Sequence, residues 1–177
     1  MDLPNLFVVT GIMAAGKSTV AEALAMRFPR SAHVRGDSFR RSVVNGYTPM
    51  TPNPSSEALG DLRLRYKLAA KAADAYAESG YVAVVQDIII AGELPRFINL
   101  LQTRPVGVVV LAPSAEVVAQ RELERPKKGY TTFTPATLDA ELRANTERIG
   151  LWIDTSALTV DETVDMILER IPATLVY

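Results

Sequence analysis

Residues 11–18 read GIMAAGKS, and this stretch decides the fold that the sequence predicts. It fits the pattern G-x-x-x-x-G-K-[ST] in full, and Thr19 follows it. Glycines at such positions let backbone N–H groups turn inward around phosphate oxygens, where a side chain would obstruct them. The pattern therefore predicts a loop that wraps a polyphosphate, named here the phosphate loop (residues 11–18).

Each residue type in the phosphate loop has a chemical role. Lys17 is expected to reach the β- and γ-phosphates, and the Ser18 hydroxyl to ligate Mg²⁺. The helix that follows points its N-terminus at the same anion and adds free N–H donors. The residues predicted to bind the nucleotide here are Gly11, Ala14, Ala15, Gly16, Lys17, Ser18 and Thr19.

The alternative for this stretch is a glycine turn that merely joins a strand to a helix. The surroundings favour the phosphate loop, because the apolar run NLFVVT (residues 5–10) predicts a strand before it and residues 17–28 show helical periodicity after it.

On the C-terminal side of the phosphate loop, short β-branched runs alternate with helical patterns. This alternation is typical of a parallel sheet covered by helices. Strands are predicted at residues 5–10, 32–35, 81–90, 106–111 and 151–154, and helices at residues 17–28, 57–79, 94–102, 115–125, 135–150 and 160–171. No linker or repeat interrupts this alternation, so we expect a single domain over residues 1–177.

Composition narrows the function classes. The 177 residues are 48% hydrophobic, carry a formal net charge of −1 and include no cysteine and one histidine, His33. Thiolate catalysis, cysteine zinc sites and His-rich metal sites are excluded, and His33 is expected to be structural. Without a global basic field, signal peptide or long apolar run, we expect a cytoplasmic protein with neither nucleic-acid nor membrane partners. The oligomeric state stays open.

Asp37 follows the second predicted strand, and the carboxyl ends of parallel strands are where ligands of open α/β sheets bind. A carboxylate near the γ-phosphate can accept the proton of a hydroxyl acceptor, so Asp37 is the candidate catalytic base. The alternative is a helix N-cap. Arg40 and Arg41 lie one turn further on and are candidates for binding an anionic substrate group, although at least one of them could be merely solvated.

Asp87 ends the apolar run VAVVQ (residues 82–86). An acidic residue at this position can hold the magnesium shell, and a carboxylate between apolar runs is costly to bury without partners. We therefore assign Asp87 to magnesium, with a satisfied turn aspartate as the alternative.

Two loops are expected to cover the site. Residues 45–56 hold three prolines and Tyr47 and form a candidate acceptor-side loop. Residues 121–134 form a candidate basic lid, in which Arg121 and Arg125 share a helix face and could close on the phosphates as catalysis begins. The alternative is a solvated helix end.

The chain resembles the chloramphenicol phosphotransferase-like P-loop kinases over nearly its whole length. The matching segments are GIMAAGKST, the GDS around Asp37, ESGYVAVVQDIII, VVVLAPSAEVVAQRELER and LWIDTSALTVDETVDMI. The resemblance implies a three-layer α/β/α P-loop fold with a five-stranded parallel sheet of order 2-3-1-4-5 and a short lid. It also implies kinase activity, with Asp37 as general base.

The closing DTS also looks like the segment that borders the adenine in shikimate- and gluconate-type kinases. This likeness implies nucleotide contacts for Thr155 and Ser156, and packing of Arg121 against the base. Residues 39–56 do not match the chloramphenicol enzyme, so the resemblance names no acceptor.

The leading hypothesis is an ATP-dependent phosphotransferase that moves the γ-phosphoryl group to a hydroxyl of a small molecule such as an antibiotic, sugar or metabolite. Lys17, Asp37 and Arg125 are its predicted catalytic residues, and Arg40, Arg41 and Tyr47 its predicted substrate-binding residues. GTP could replace ATP. The alternatives are a nucleotide kinase, a sugar-nucleotide kinase and a non-catalytic nucleotide-binding switch.

Overall fold

A computed structural model describes residues 3–124, 130 and 132–177. Strands and helices alternate along most of this chain, as the hydrophobic pattern predicts. The strands are β1 (Leu6–Thr10), β2 (Ser31–Arg35), β3 (Val82–Gln86), β4 (Val106–Leu111), β5 (Leu151–Ile153) and β6 (Leu175–Val176). The helices are α1 (Lys17–Met26), α2 (Gly36–Arg41), α3 (Ser56–Glu78), α4 (Glu93–Leu100), α5 (Ala115–Glu124), α6 (Pro135–Asn145), α7 (Val160–Glu169) and α8 (Ile171–Thr174).

The sheet confirms the expected order β2-β3-β1-β4-β5, with all four of these pairings parallel. This is the three-layer α/β arrangement around a parallel sheet that the resemblance implies. One strand was not expected: β6 pairs antiparallel with β4, with Val106 opposite Val176. Two residues are too few to show a strand periodicity in sequence.

Strands β1 and β4 are buried along their whole lengths, because helices cover both faces of a parallel sheet. Phe7 and Phe97 are among the largest fully buried side chains of the core. The buried strands therefore fix the positions at which the loops of the carboxyl edge begin.

The prediction of a strand over residues 81–90 was too long, since β3 ends at Gln86. Beyond this point the Thr10 hydroxyl bonds to Ile89 instead, donating to its carbonyl at 2.7 Å and accepting from its N–H at 2.9 Å. Asp87 also accepts the N–H of Ile88 at 2.8 Å. Side chains thus replace the strand ladder, and the segment turns along the edge of the sheet.

The helix predicted to end near Gly150 ends at Asn145. The next residue, Thr146, is extended and buried, and its hydroxyl accepts the N–H of Ala91 at 2.7 Å. This contact across the fold draws Thr146 out of the helix. Among the described residues, no helix has the length and apolar character needed to cross a membrane.

Candidate active site

The phosphate loop connects β1 to α1 at the carboxyl edge of the sheet. Gly11 has φ +148° and Gly16 has φ +94°, and residues other than glycine rarely adopt these backbone conformations. A Cβ on Gly11 would also lie 2.5 Å from the Leu111 carbonyl oxygen. Ala14 adopts φ +62°, so the loop holds a left-handed turn without glycine as well. The glycines are where the pattern requires them.

The N-terminus of α1 has the features of an anion site. Its N-cap residue, Gly16, provides no side-chain hydrogen bond, and its first turn holds no acidic residue. The free N–H groups of this turn therefore remain available to a phosphate. Lys17 is largely buried, and its Nζ donates to the Ile12 carbonyl at 2.7 Å, inside the loop.

Ser18 and Thr19 are exposed in the first turn of α1. A hydroxyl oxygen and a carboxylate are ligands that suit Mg²⁺. The residue types of Ser18 and Asp87 suit magnesium, and their joint role in holding the ion stays a prediction.

A cavity of about 240 Å³ adjoins the phosphate loop. Its lining residues are Ala15, Gly16, Thr19, Val20, Arg121, Thr155, Leu158, Thr159, Val160 and Thr163. Arg121 spans it, donating to the Thr155 carbonyl at 3.0 Å and to the Ala15 carbonyl at 3.4 Å. The cavity lies beside the loop in a position suited to a nucleoside.

Ser156 lies beside this cavity but does not line it. Its hydroxyl accepts the Ser114 N–H at 2.8 Å and donates to Asp154. Its contacts shape the turn that carries Thr155, whereas its predicted direct contact with the nucleotide stays a prediction.

Asp37 lies in the first turn of α2 and does not cap it, because the N-cap residue is Arg35. Its Oδ2 accepts from Arg41 Nη2 at 2.6 Å, one turn along the same helix. The Asp37 side chain is 43% exposed, so a substrate can reach it. Arg41 is therefore the partner of the candidate base, and its predicted contact with the substrate stays a prediction.

Asp87 is almost fully buried and forms an ion pair with Arg65 of α3. Arg65 Nε lies 2.9 Å from Asp87 Oδ2, and Arg65 Nη2 lies 3.0 Å from Oδ1. Burial raises the pKa of the Asp87 carboxyl, while the Arg65 charge and the Ile88 N–H oppose that rise. The pairing explains how a carboxylate is tolerated at this depth.

Asp87 follows the strand that lies between β1 and β2, since Val9 of β1 and Arg35 of β2 both lie opposite Gln86. The charges of both Lys17 and Asp37 act on the pKa of the Asp87 carboxyl. Gly36 lies directly against it, since a Cβ there would clash with Asp87 Oδ2. The segments that carry the phosphate loop, Asp37 and Asp87 therefore begin at the same edge of the sheet.

Arg40 and Tyr47 also meet, with the Arg40 guanidinium 5.5 Å from the centre of the Tyr47 ring. Both line a cleft between α2 and α3. The acceptor-side loop is tied to α3 by the Thr48 N–H, which donates to Asp61 at 2.7 Å.

Part of the predicted lid touches the phosphate loop. The Tyr130 hydroxyl donates to the Met13 carbonyl at 2.7 Å. Arg125, predicted to be catalytic, lies outside the described residues, as do residues 126–129 and 131.

Sequence reasoning missed Arg65 and Tyr66, neighbours on α3. Arg65 binds Asp87, and the Tyr66 hydroxyl donates to the Ile88 carbonyl, so both hold the segment that follows β3. The signal in the sequence is Asp87 itself, an acidic residue between two apolar runs. A buried carboxylate needs a cationic partner, and Arg65 is a candidate for it on the long helix before β3.

The family described as an AAA domain matches residues 6–148. No curated protein matches the sequence significantly. The fold is similar to a sugar kinase from Janibacter sp. HTCC2649, with 20% identity, a TM-score of 0.67, and coverage of 95% of this chain and 94% of that one.

Two further solved structures are similar at comparable levels. A gluconokinase from Sinorhizobium meliloti 1021 has 20% identity and a TM-score of 0.65, covering 97% of this chain and 94% of that one. The tunicamycin resistance protein of Deinococcus radiodurans has 17% identity and a TM-score of 0.66, covering 99% of each chain. At such identities these likenesses concern the fold.

Proposed function

The chain belongs to the AAA domain family of P-loop NTPases, and on that premise we propose that it is an ATP-dependent kinase of a small hydroxylated molecule. The observation that carries the proposal is the edge of the sheet where the phosphate loop begins. Val9 of β1 and Arg35 of β2 both lie opposite Gln86 of β3 there, and Gly36, the neighbour of Asp37, lies against the Asp87 carboxylate. Kinase structures among the similar folds support it.

Nucleotide binding falls to the phosphate loop. Its backbone N–H groups and the N-terminus of α1 surround the β- and γ-phosphates, and Lys17 exchanges the Ile12 carbonyl for their oxygens. The nucleoside occupies the cavity spanned by Arg121, between Gly16 and Thr155. GTP is a possible replacement for ATP, since the phosphate contacts are common to both.

Ser18 would hold magnesium directly and Asp87 would hold it through a bound water, and the ion would neutralise the charge of the phosphates. Arg65 keeps Asp87 oriented toward this place by its two contacts. In the proposed lid, Arg121 and Arg125 add positive charge to the phosphates as water is excluded.

Asp37 handles the acceptor. Its Oδ1 takes the hydroxyl proton as the acceptor oxygen forms a bond to the γ-phosphorus. The bond from that phosphorus to the oxygen bridging the β-phosphate breaks, and ADP leaves with the electron pair. Arg41, bound to Oδ2, holds the carboxylate in position. The finer resemblance to chloramphenicol phosphotransferase-like kinases is part of this proposal.

The test is the variant Asp37→Asn, which removes the base but keeps the size of the side chain. We expect phosphoryl transfer, measured as ADP release with a panel of hydroxylated antibiotics, sugars and metabolites, to fall about 10²–10⁴-fold. Calorimetric affinity for Mg·ATP should stay unchanged, because the phosphate loop is untouched.

Asp165→Asn is the matched control, since Asp165 is also exposed and also paired with an arginine, Arg27, at 2.8 Å. It should behave as the wild type. Equal turnover of Asp37→Asn and wild type would refute the assignment of the base, and retained transfer to a nucleoside monophosphate would favour a nucleotide kinase.

A further inference from the structure

The cleft between α2 and α3, called here the acceptor cleft, begins two residues after Asp37. It also touches the ion pair of Arg65 with Asp87 and therefore reaches the proposed reaction centre. Its lining residues are Phe39, Arg40, Val43, Tyr47, Asp61, Leu64, Arg65 and Leu68. Their chemistry bears on which alcohol the enzyme would accept.

The walls of the acceptor cleft are mainly apolar and partly exposed. Val43 is 39% exposed, Leu64 is 48% exposed and Leu68 is 38% exposed. Leu64 and Leu68 are four residues apart on α3 and therefore share one face. Val44, next to the cleft in sequence, is 89% exposed. Apolar side chains grouped at a site mark a surface that binds an apolar group.

Two charged side chains of the acceptor cleft already have partners within the protein. Asp61 accepts the Thr48 N–H at 2.7 Å, and Arg65 binds Asp87. Arg40 forms no ion pair with a carboxylate among the residues that the structure describes, and the Tyr47 ring centre lies 5.5 Å from its guanidinium. Arg40 is therefore the cation that remains for a ligand.

A polyhydroxylated sugar buries many hydroxyls, and each needs a hydrogen-bonding partner or costs free energy. Within the part of the chain that the structure describes, the acceptor cleft has mainly apolar walls. Its polar groups are the Tyr47 hydroxyl, the Asp61 carboxylate, the Arg65 guanidinium paired with Asp87, and the Arg40 guanidinium, which pairs with no carboxylate there. A guanidinium matches the geometry of a carboxylate or phosphate.

We propose that the acceptor is an alcohol with an apolar or aromatic body and one anionic group, which Arg40 binds. This inference rests on the proposed kinase function and selects a class of acceptor within it. The enclosed part of the cleft is only about 20 Å³. The acceptor therefore enters by parting Tyr47 from α3, and the bond between Thr48 and Asp61 marks where that segment is tied.

The test measures the binding of four alcohols, which differ in whether the body is a sugar or an aromatic ring and in whether it carries an anionic group. They are glucose, gluconate, 1,4-benzenedimethanol and 4-(hydroxymethyl)benzoate. Dissociation constants are measured by calorimetry and ligand NMR with the protein loaded with magnesium and the non-transferable analogue adenylyl imidodiphosphate. We expect 4-(hydroxymethyl)benzoate to bind tightest, with about a tenfold or greater advantage over the neutral aromatic diol from the charge-assisted contact.

Variants assign the contacts. Arg40→Gln should remove the advantage of the aromatic carboxylate over the aromatic diol, and Arg40→Lys should restore part of it. Leu64→Gln should weaken both aromatic compounds and leave their ratio unchanged. Arg170→Gln and Met26→Gln are the matched controls, because both residues are exposed and lie outside the acceptor cleft.

Tightest binding of glucose or gluconate, saturable binding of none of the four, or an Arg40→Gln variant that leaves the ratio unchanged would each overturn the inference. Turnover with Mg·ATP is read separately, by mass spectrometry of the phosphorylated alcohol. Selective binding without any phosphorylated product would contradict the proposed kinase function while upholding the selectivity of the cleft.

Discussion

The ion pair of Arg65 with Asp87 connects the carboxyl edge of the sheet with the acceptor cleft. Both side chains are largely buried, at 13% and 5% exposure. Such pairs often contribute little net stability, because the attraction must offset the desolvation of two ions, yet removing one partner costs about 3–5 kcal/mol. In the proposed function the pair has a further role, because it would orient the Asp87 carboxylate toward magnesium and hold Arg65 at the acceptor cleft.

His33 gives a prediction for pH dependence. Burial lowers the pKa of its imidazole below the ordinary 6.5, although the hydrogen bond with Glu22 opposes the shift. Between the lowered pKa and 6.5 the unfolded chain binds more protons than the folded chain, so stability falls as the pH falls through that window. Thermal unfolding scans from about pH 7 to pH 5 should show a decrease in Tm of a few degrees at most.

The variant His33→Gln isolates this contribution, because glutamine can still donate to Glu22 but does not titrate. The pKa of Glu22 is itself held below 4.5 by His33 and Arg35, so its own titration lies under the window. A decrease in Tm of the same size in wild type and His33→Gln would show that His33 is not its origin.

At the scale of elements, the sheet and the helices place opposite demands on glycine. Gly107 lies in β4, where a Cβ would come within 2.5 Å of the Phe7 ring. Phe7 is fully buried and stacks on Phe28, so it has little freedom to move away. Gly60 lies inside α3, where a Cβ would meet nothing within 4 Å.

We expect Gly107→Ala to lower the free energy of unfolding by about 1–3 kcal/mol through overpacking. Gly60→Ala should raise it by about 0.5–1 kcal/mol, because alanine costs less backbone entropy in a helix. Denaturant titration of the two variants beside the wild type measures both, and a stabilised Gly107→Ala variant would contradict the tight contact with Phe7.

For the whole molecule, nucleotide binding should be visible as stability. A ligand that binds only the folded state adds about 2.7 kcal/mol when its concentration is 100 times its dissociation constant. For a chain of this size we therefore expect Mg·ATP to raise Tm by about 5–10 °C under those conditions. Lys17→Ala removes the charge that would bind the phosphates and should abolish most of the increase.

Thermal scans with and without Mg·ATP measure this difference, and Lys17→Ala without ligand provides the baseline for the variant. An equal rise of Tm in wild type and Lys17→Ala would show that the nucleotide binds elsewhere, and no rise in the wild type would remove the basis of the proposed function.

Much of the fold could be predicted because its signals are local. Strand order followed from a resemblance, whereas the alternation of strands and helices followed from periodicity. The boundaries that were wrong share one cause. Residues 87–90 are apolar and residues 146–150 have a helical pattern, but residues distant in sequence form hydrogen bonds with them. The Ile89 N–H donates to the Thr10 hydroxyl, and the Thr146 hydroxyl accepts from the Ala91 N–H.

Local patterns in the sequence predicted the phosphate loop, the alternation of strands and helices, and the position of Asp37 and Asp87 at strand ends. These features depend on residues adjacent in the chain, whose spacing sets backbone conformation and the face that each side chain occupies. The folded chain was needed to show that Arg65 pairs with Asp87, that Arg41 binds Asp37 and that Arg40 lies in a mainly apolar cleft. The choice of partner among several cations depends on distances in space, because ion pairing weakens with separation whatever the spacing in sequence.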